Sequence, residues 1–461
     1  MPFSASSTGV IRRTAIEARA MSTRQLSLGV FLHSAGYHAA GWRHPDARSD
    51  TEDIAYLTEL CRLAECGKFH LAFVADGLST SRHASPSVVA RLEPLTLLSA
   101  VAVQTHHIGL AATVSTTFSE PYAVARQLAS LDHISGGRAA WNIVTSSSDA
   151  AARNFGMAQL PDPGRRYARA EEFVDVVCGL WDSWEADAFP RDKSTGAYFD
   201  PSKLHELDHR GAFFSVAGPL NVSRSPQGRP LLIQAGSSGP GQDLAARVAD
   251  IVFTAQPSID KARDFRRSII DRASRRFGRV ASDIRVMPGI VPFIGTTRSD
   301  AREQYESLQA LVDTERALPV LSERFGRHFT QADLDRPVSD DLVRDHLSSR
   351  VSLLHSLADA EGLTLRGLYR IMAGANGHLP IIGTAADVAQ YMIDWFDAQA
   401  ADGFNVMPPY FPGSLSDFVG QVVPILQERG VFHDEYHPHG LREDMGLAAA
   451  PDRHAKSVQA S

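Results

Sequence analysis

The sequence has few cysteines and no long apolar run. Its 461 residues include only three cysteines, Cys61, Cys66 and Cys178, and an odd number this small does not build a disulfide framework. We therefore expect reduced thiols and a cytoplasmic protein. No apolar run approaches the roughly 18 residues of a transmembrane helix, and the first two dozen residues contain no secretory apolar block. These absences predict a protein without a membrane segment.

An excess of positive charge is also missing. The formal net charge is -7, with 44% hydrophobic and 21% charged residues, which is ordinary for a soluble globular protein. We therefore expect no nucleic-acid partner. Residues 1–24 contain four arginines and a single acid, Glu17, and are predicted to be a disordered leader. Residues 448–461 are predicted to be a loose tail.

The motifs of metalloenzymes and nucleophilic hydrolases do not occur. No HExxH or CxxC spacing accompanies the pair His106–His107 or the other histidines, so solvated or capping roles are favoured and no metal site is predicted. The sequence has no GxSxG elbow, and Cys178 lies in a helical pattern as a core residue. Hydrolysis through a nucleophilic side chain therefore has little support.

Short apolar runs alternate with helical patterns along the chain. This alternation is typical of βα units. Eight such units favour a closed (β/α)8 TIM barrel over a doubly wound open sheet, which is the alternative. We expect residues 25–447 to form this domain. The predicted strands are Leu26–Leu32, Leu71–Ala75, Ile108–Val114, Ala139–Val144, Leu231–Ala235, Asp250–Thr254, Arg285–Phe293 and Gly403–Met407.

Two long segments interrupt the alternation and are predicted to be insertions at the carboxyl face of the barrel. Residues near 184–225 are polar, with only brief β-like pieces, whereas residues near 299–379 are mostly helical and charged. Long connections of this kind often carry function. We therefore consider both segments as candidates for a lid over the barrel mouth.

The stretch from Pro121 to Ser146 predicts one complete helix-to-strand unit. Apolar residues recur at three- and four-residue steps, and Gly136–Gly137 predicts the end of the helix, because glycine adopts positive φ at low cost. The strand that follows carries Asn142 and ends in a run of hydroxyls. Polar groups at the carboxyl ends of barrel strands usually face a ligand. A structural Asn142 and helix-capping serines explain the local pattern equally well.

Other predicted strand ends also carry polar groups. Asp76 follows the second strand and Thr113 lies near the end of the third, and a helix cap or ordinary strand filler are the alternatives for these two. The fifth strand leads through a glycine-rich loop with Ser237 and Ser238 into a helix. Bared backbone N–H groups at such a helix start suit a phosphate, and a plain β-to-α turn is the alternative.

Aromatic and basic residues crowd the loop after the first strand. Tyr37 and Trp42 would serve a flat apolar cofactor ring. Cationic side chains in the same loop would serve an anionic substrate. The candidates for substrate contact are His33, His38, Arg43 and His44.

Several of these stretches closely resemble the bacterial luciferase-like flavin monooxygenases, in particular the nitrilotriacetate monooxygenase component A subgroup. The resemblance spans about Leu26 to Leu447. It implies a (β/α)8 barrel that takes reduced FMN (FMNH2) from a separate NAD(P)H-dependent flavin reductase and uses O2 to oxygenate a small substrate. It also implies a homodimer or homotetramer. The stretches that carry it are Phe73–Gly77, Leu131–Thr145, Arg166–Phe173, Gln234–Ser238 and Asp402–Asn405.

Carried over residue by residue, the resemblance also implies an FMN site. Several relatives have a histidine four residues before the tyrosine that matches Tyr167, whereas this chain has Pro163, so the phosphate site loses one imidazole or its loop is rebuilt. A non-proline cis peptide often precedes the residue that matches Asp76. The implied FMN contacts are Asp76, Thr113, Tyr167 and Ser238, with Asn142, Ser146 and Ser237 as neighbours.

The resemblance favours oxidative N-dealkylation of an aminopolycarboxylate such as nitrilotriacetate. The carboxylates of such a substrate need cations near the flavin. The sequence identifies no catalytic acid or base. The alternatives are a monooxygenase of the same fold that acts on a sulfone, a sulfur compound or an alkane, and a flavin- or deazaflavin-binding protein that does not oxygenate.

Overall fold

A closed barrel of eight parallel strands forms the centre of the protein. The computed structural model describes residues 24–33, 35–338, 349–438, 440–450 and 452–454. The strands in these residues are β1 (Ser27–Phe31), β2 (Leu71–Val74), β3 (Gly109–Ser115), β4 (Ala139–Val144), β5 (His209–Arg210), β6 (Ser215–Val216), β7 (Leu231–Gln234), β8 (Ile251–Thr254), β9 (Arg285–Ile294), β10 (Leu379–Gly383) and β11 (Gly403–Val406).

The strand order confirms the predicted TIM barrel. The barrel runs β1-β2-β3-β4-β7-β8-β9-β11, and β11 pairs with β1 to close it. All eight pairings are parallel. Each of the eight predicted strands is a barrel strand, and no predicted end differs from the observed one by more than one residue.

Helices surround the barrel between successive strands. None of those in the described residues is both long and apolar enough to cross a membrane. The helices are α1 (Ile54–Cys66), α2 (Pro86–Val89), α3 (Pro94–Ala102), α4 (Pro121–Ser135), α5 (Asp149–Asn154), α6 (Pro163–Trp181), α7 (Gly239–Val248), α8 (Ile259–Phe277), α9 (Arg298–Ala310), α10 (Ala317–Phe325), α11 (Ser349–Ala360), α12 (Leu365–Ala375), α13 (Ala385–Asp397), α14 (Gly413–Asp417), α15 (Val423–Glu428) and α16 (Leu441–Asp444).

The turn after α4 has the predicted geometry. Gly136 follows the last residue of the helix with φ 69°, and Gly137 has φ 92°. Both values lie in the left-handed region that glycine adopts at low cost. The predicted end of the helix is therefore confirmed, and β4 begins directly afterwards at Ala139.

An apolar cluster fills the inside of the barrel, separate from the layer between strands and helices. Side chains alternate along each strand, so every second residue points inward. Ala111 and Ala140 belong to the interior cluster, which places Thr113 and Asn142, two residues further along β3 and β4, on the same inner face. The interior cluster also includes Phe31, Leu71, Phe73, Leu231, Ile233, Ile251, Phe253, Met287, Val291, Phe293 and Met407.

The segment 299–379 returns to the barrel through a strand that the sequence did not predict. It contains most of α9 and all of α10, α11 and α12, and its last residue begins β10. β10 lies outside the barrel and pairs in parallel with the second half of β9, with Leu379 opposite Ile290 and Gly383 opposite Ile294. The end of this segment is therefore fixed to the carboxyl rim.

The segment 184–225 carries the small hairpin of β5 and β6. Glu172 on α6 accepts hydrogen bonds from the backbone N–H groups of Phe213 and Phe214, at 3.0 and 2.8 Å, and bonds the ring of His209 at 3.0 Å. These donors hold the pKa of Glu172 below its usual value, although burial opposes them. The hairpin is thus tied to a helix of the barrel by one ionised carboxylate.

The C-terminal segment closes the amino end of the barrel. Leu441 and Met445 pack into the interior cluster. The ring of His70, just before β2, stacks on that of His433 with centroids 4.4 Å apart, and its Nε2 donates to the backbone oxygen of Asp444 at 3.2 Å. Burial raises the pKa of the Asp444 carboxyl to about 6.

We expect Asp444→Asn to remove a pH-dependent loss of stability. Because the folded chain holds the Asp444 proton more tightly than the unfolded chain, this carboxyl lowers stability as pH rises from 3.8 to about 6. The variant should therefore gain on the wild type over this range, by about 1 kcal/mol after allowance for solvent screening. Urea unfolding across this pH range measures the difference. Asp434→Asn, an exposed neighbour, is the control, and an equal gain in both variants would contradict the prediction.

One buried carboxylate near the end of α6 binds three arginines. The side chain of Asp182 is only 1% exposed. It accepts from Arg224 at 3.0 Å and from Arg229, and it pairs with Arg453 at 3.2 Å. Asp182 therefore joins α6, the segment before β7 and the C-terminal residues.

Residues from both ends of the chain contact the barrel. Arg24, the last residue of the predicted leader, pairs with the buried Asp402 at 2.9 Å, and residues 1–23 lie outside the described residues. From the predicted tail, the ring of His454 stacks on His205 with centroids 3.7 Å apart. Residues 451 and 455–461 lie outside the described part of that tail.

Candidate active site

Aromatic rings line the carboxyl end of the barrel. The rings of Phe31, Phe73 and Phe253 lie with centroids 5.2 to 6.0 Å apart. Tyr37 lies 5.6 Å from Phe31, and His378 stacks on Phe253 at 5.4 Å. Because His378 directly precedes β10, the segment 299–379 ends over the barrel mouth. These five rings, which we call the aromatic mouth, form an apolar lining where barrels of this fold place their chemistry.

Two predicted site residues share a hydrogen bond at this end. The Thr113 hydroxyl donates to the Val74 carbonyl at 2.8 Å, so its oxygen accepts from the Asn142 amide at 2.9 Å. This arrangement turns the Asn142 amide oxygen away from Thr113. Within the described residues, that buried oxygen has no hydrogen-bond partner. An unpaired buried acceptor costs free energy unless a ligand supplies a donor, so the site suits an N–H or O–H group of a ligand.

Ser146 follows β4 in a left-handed backbone conformation with φ 54°. Its hydroxyl bonds that of Ser115 at 2.8 Å, and its carbonyl accepts from Arg166. Ser148 instead caps α5 by accepting from the Ala151 N–H. The helix-capping reading is therefore confirmed for Ser148, whereas Ser146 stays beside the strand end.

The glycine-rich loop after β7 leads into the start of α7. Ser238 is the N-cap of that helix and accepts from the Gly241 N–H at 3.3 Å. Its hydroxyl also donates to the Tyr167 oxygen at 3.4 Å. Gly236 and Gly241 pass so closely that a Cβ on either would lie 2.9 Å from the Cα of the other. This close approach holds the start of α7 beside two hydroxyls, and the N–H groups of a helix start suit a phosphate.

We call the loop of Gly236 and Gly241, with Ser238 and Tyr167, the glycine cradle. The structure also gives the positions of Ser237 and Pro163 next to it. Ser237 precedes the cap, and its carbonyl accepts from Gln242 at 2.9 Å. Pro163 is the first residue of α6, and Asp162 caps that helix by accepting from the Arg165 N–H. The proline therefore serves as a helix start, and Tyr167, four residues further along α6, still reaches Ser238.

Asp76 lies just beyond β2 and is half-buried. Its carboxylate accepts from the Gly77 N–H at 2.8 Å and pairs with Arg91 at 3.7 Å. Burial raises the pKa of Asp76, although Gly77 and Arg91 oppose this. The non-proline cis peptide that relatives often have before this position does not occur here, since the described residues have cis peptides only at Gly218–Pro219 and Phe411–Pro412.

The seven residues implied for FMN therefore fall on one part of the rim. Asp76 lies just after β2, and Thr113 and Asn142 lie two residues before the ends of β3 and β4. The loop with Ser238 follows β7. These four strands are consecutive neighbours in the barrel. Their carboxyl ends consequently present one continuous polar edge to the aromatic mouth.

The four candidates for substrate contact are more dispersed. His33 lies against Phe31, with ring centroids 4.5 Å apart. His38 is buried near Phe293, His44 stacks on Tyr410 at 3.7 Å, and Arg43 donates to the Leu311 carbonyl. Among the four, only His33 thus contacts a ring of the aromatic mouth in the described residues.

The charge states of these histidines differ from what an anion site needs. Burial and the nearby Arg91 lower the pKa of His33 to about 3, and burial lowers that of His38 to about 4. Burial also lowers the pKa of His44, although Asp46 opposes this. His33 and His38 are therefore neutral at pH 7, when each can donate or accept a hydrogen bond but carries no charge.

Two residues of this end did not emerge from the sequence. Arg91 stands in an unpatterned loop fifteen positions after its partner Asp76, and His378 lies at the end of an insertion. Closure of the barrel brings both residues to the mouth, and no local sequence pattern predicts this position for either of them.

The site fits the reduced flavin that the sequence resemblance implies. An isoalloxazine ring needs an apolar slot with a few polar partners, and its ribityl phosphate needs bare N–H donors. The aromatic mouth supplies the slot, and the unpaired oxygen of Asn142 supplies an acceptor for a ring N–H. The start of α7, which the loop of Gly236 and Gly241 holds in place, supplies the donors. These elements lie on adjacent strands, since Asn142 pairs with Ile233 of β7.

Comparison with known proteins gives a family match over most of the chain. The model of the luciferase-like monooxygenase family matches residues 31–396. N-acetyl-S-(2-succino)cysteine monooxygenase of Bacillus subtilis (strain 168) is 49% identical over 437 residues, which cover 94% of this chain and 99% of that protein. Nitrilotriacetate monooxygenase component A of Aminobacter aminovorans is 43% identical over 450 residues, with 94% and 99% covered.

A solved structure also matches most of the chain, in fold and in sequence. The crystal structure of riboflavin lyase with modified FMN and the substrate riboflavin superposes with a TM-score of 0.82 at 31% sequence identity. The match covers 92% of this chain and 96% of that chain.

Proposed function

Because the chain belongs to the luciferase-like monooxygenase family, we propose that it is the oxygenase of a two-component system, which receives FMNH2 from a separate flavin reductase and uses O2 to oxygenate a small substrate. The observation that carries the proposal is the glycine cradle with Ser238 and Tyr167 beside the aromatic mouth. The two-component arrangement is supported by the name of the Aminobacter relative, which is a component A.

The residues of the cradle would bind and orient the cofactor. The N–H groups at the start of α7 and the hydroxyls of Ser238 and Tyr167 would hold its phosphate, where the helix dipole favours an anion. The Asn142 oxygen would accept from a ring N–H. Reduced flavin, when bound, supplies the electrons that activate O2 and delivers one oxygen atom to the substrate.

The aromatic mouth would exclude water from the reaction. Phe31, Phe73 and Phe253 present no hydrogen-bonding side chain, and they are at least nine-tenths buried. A dry site favours oxygen transfer over release of hydrogen peroxide, because the reactive oxygen species meets substrate before solvent. His33 beside this lining can donate or accept a hydrogen bond but is a weak base, since burial and Arg91 lower its pKa to about 3.

We propose that the substrate carries carboxylates next to an amine nitrogen or a thioether sulfur. The names of the two relatives denote a tricarboxylated amine and a thioether that bears a succinyl group. Both compounds have a carbon that is bonded to a heteroatom and to a carboxylate. Oxygenation of its C–H bond gives a hydroxyl on that carbon, and the C–N or C–S bond then breaks to leave an amine or thiol and a 2-oxo acid. The second oxygen atom leaves as water with the two hydrogens of FMNH2.

A coupled assay tests the proposal. The protein is mixed with FMN, a flavin reductase, NADH and O2, and each substrate is scored for product against hydrogen peroxide. We expect nitrilotriacetate or N-acetyl-S-(2-succino)cysteine to give a 2-oxo acid, and dibenzothiophene sulfone and a long-chain alkane to give only peroxide. Peroxide alone with every compound would contradict an oxygenase, and tighter binding of a deazaflavin than of FMN would contradict the cofactor.

A further inference from the structure

Arg91 is a cation close to His33 that pairs with Asp76 and donates no hydrogen bond to any described residue. It follows α2, and its side chain is 22% exposed. The Ser87 hydroxyl bonds the Gly36 carbonyl at 2.5 Å, so the α2 segment is tied to the loop after β1. Arg91 thus stands between Asp76 at the end of β2 and His33 at the start of that loop.

The hydrogen bonding of Arg91 is incomplete. Its Nε lies 3.7 Å from the Asp76 carboxylate, which is an ion pair but too long for a hydrogen bond. The guanidinium donates no hydrogen bond to any described residue, whereas that of buried Arg138 donates five. Partial burial removes part of the hydration of this guanidinium, so a ligand carboxylate would replace it in a bidentate pair with the two terminal nitrogens.

Asp76 is the one acid of the described residues that pairs with Arg91. Glu93, the other nearby acid, is occupied by the backbone N–H groups of Leu95 and Thr96, at 3.0 and 2.7 Å. On the other side Arg91 faces His33, whose pKa it helps to lower. The mouth therefore has one guanidinium, one carboxylate and a neutral imidazole beside an apolar lining.

We propose that Arg91 binds a carboxylate of the substrate and selects anionic substrates over neutral ones. The inference rests on the proposed function and assigns the recognition of its substrate class to one residue. The two terminal nitrogens of the guanidinium would take the carboxylate, while Nε keeps Asp76. The rest of the substrate would then lie against the aromatic mouth.

Binding measurements on FMN-loaded protein test this role without turnover. Calorimetric titration measures the affinity of Arg91→Gln, Arg91→Lys and wild type for nitrilotriacetate, for N-acetyl-S-(2-succino)cysteine and for their methyl esters. We expect Arg91→Gln to weaken binding of the carboxylates by about 10- to 30-fold, the worth of hydrogen bonds to a charged group. The esters and FMN should bind unchanged, and Arg91→Lys should lie between wild type and Arg91→Gln, since lysine keeps the charge without the planar fork.

Arg62→Gln is the matched control, because Arg62 lies exposed on α1 and bonds Gln104. Unchanged carboxylate affinity in Arg91→Gln would overturn the inference, and product formation by wild type would then leave the proposed function standing. Equal losses for FMN and carboxylates would assign the guanidinium to the flavin and also overturn it. If wild type binds no carboxylate yet oxygenates a neutral compound, the inference and the proposed carboxylated substrate fail, and the assignment as an oxygenase stands. If it oxygenates nothing, the assignment as an oxygenase fails as well. Should Arg91→Gln not fold, Arg91→Lys decides by the same comparison.

Discussion

We expect Gly241→Ala to weaken FMN binding by at least about 100-fold, the equivalent of two lost hydrogen bonds to a charged group. A Cβ at this position would lie 2.9 Å from the Gly236 Cα and 2.9 Å from the Tyr167 hydroxyl oxygen. The backbone at Gly236 cannot absorb such a contact without movement of the loop. The start of α7 would then shift, and Tyr167 would turn away from Ser238.

Gly239→Ala provides the matched control two residues earlier. No atom of the described residues lies within 4 Å of a Cβ built at Gly239, so the added methyl group meets open space. Fluorescence titration of FMN measures both affinities, and thermal unfolding checks that both variants are folded. Equal affinities in the two variants would show that the loop of Gly236 and Gly241 does not bind the phosphate.

The largest expected effect on stability is that of Asp182→Asn. This change leaves the guanidiniums of Arg224, Arg229 and Arg453 without their shared anion. Breaking a buried ion pair by removing one partner costs about 3 to 5 kcal/mol, since the remaining charge is left uncompensated. We therefore expect a large fall in the free energy of unfolding, measured by urea denaturation.

Asp175→Asn is the comparison for this variant. Asp175 also lies on α6 and pairs with Arg247, but its side chain is 47% exposed. Exposed pairs contribute about 0 to 1 kcal/mol. Similar losses in both variants would contradict the assignment of a special role to the buried carboxylate.

The barrel strands were predictable because each is short and apolar and is bounded by turn-forming residues. Gly136–Gly137 before β4 and Asp76–Gly77 after β2 mark ends that depend only on local chemistry. β10 was not predicted although Leu379–Gly383 is also a short apolar run. It follows a long helical segment, and its pairing with β9 depends on tertiary structure and not on the local sequence.

The rim residues were predictable to the extent that strand ends are. Thr113 and Asn142 could be placed on the rim because parallel strands bring their carboxyl ends together. Their mutual hydrogen bond, which leaves the Asn142 oxygen unpaired, depends on interstrand register and could not be read from either strand. The prediction of a phosphate site at Ser238 still awaits the binding measurement.

Charge was the least predictable property of the site. The sequence offers His33 and His38 as cations because an imidazole titrates near neutral pH. Burial, which no local pattern reveals, makes both neutral, whereas Arg91 keeps its charge in a loop without a motif. Residue type alone therefore does not identify His33 and His38 as anion-binding groups.

The pairing of β10 with the outer half of β9 has a consequence for how this enzyme could diversify. The segment between these strands begins and ends on the same strand pair, so its length and composition can change while both junctions keep their spacing. His378, adjacent to the second junction, would keep its place above the flavin slot as the rest varied. New substrate preferences could then arise by replacement of this one segment, while the phosphate cradle after β7, two strands away from β9, stays unchanged.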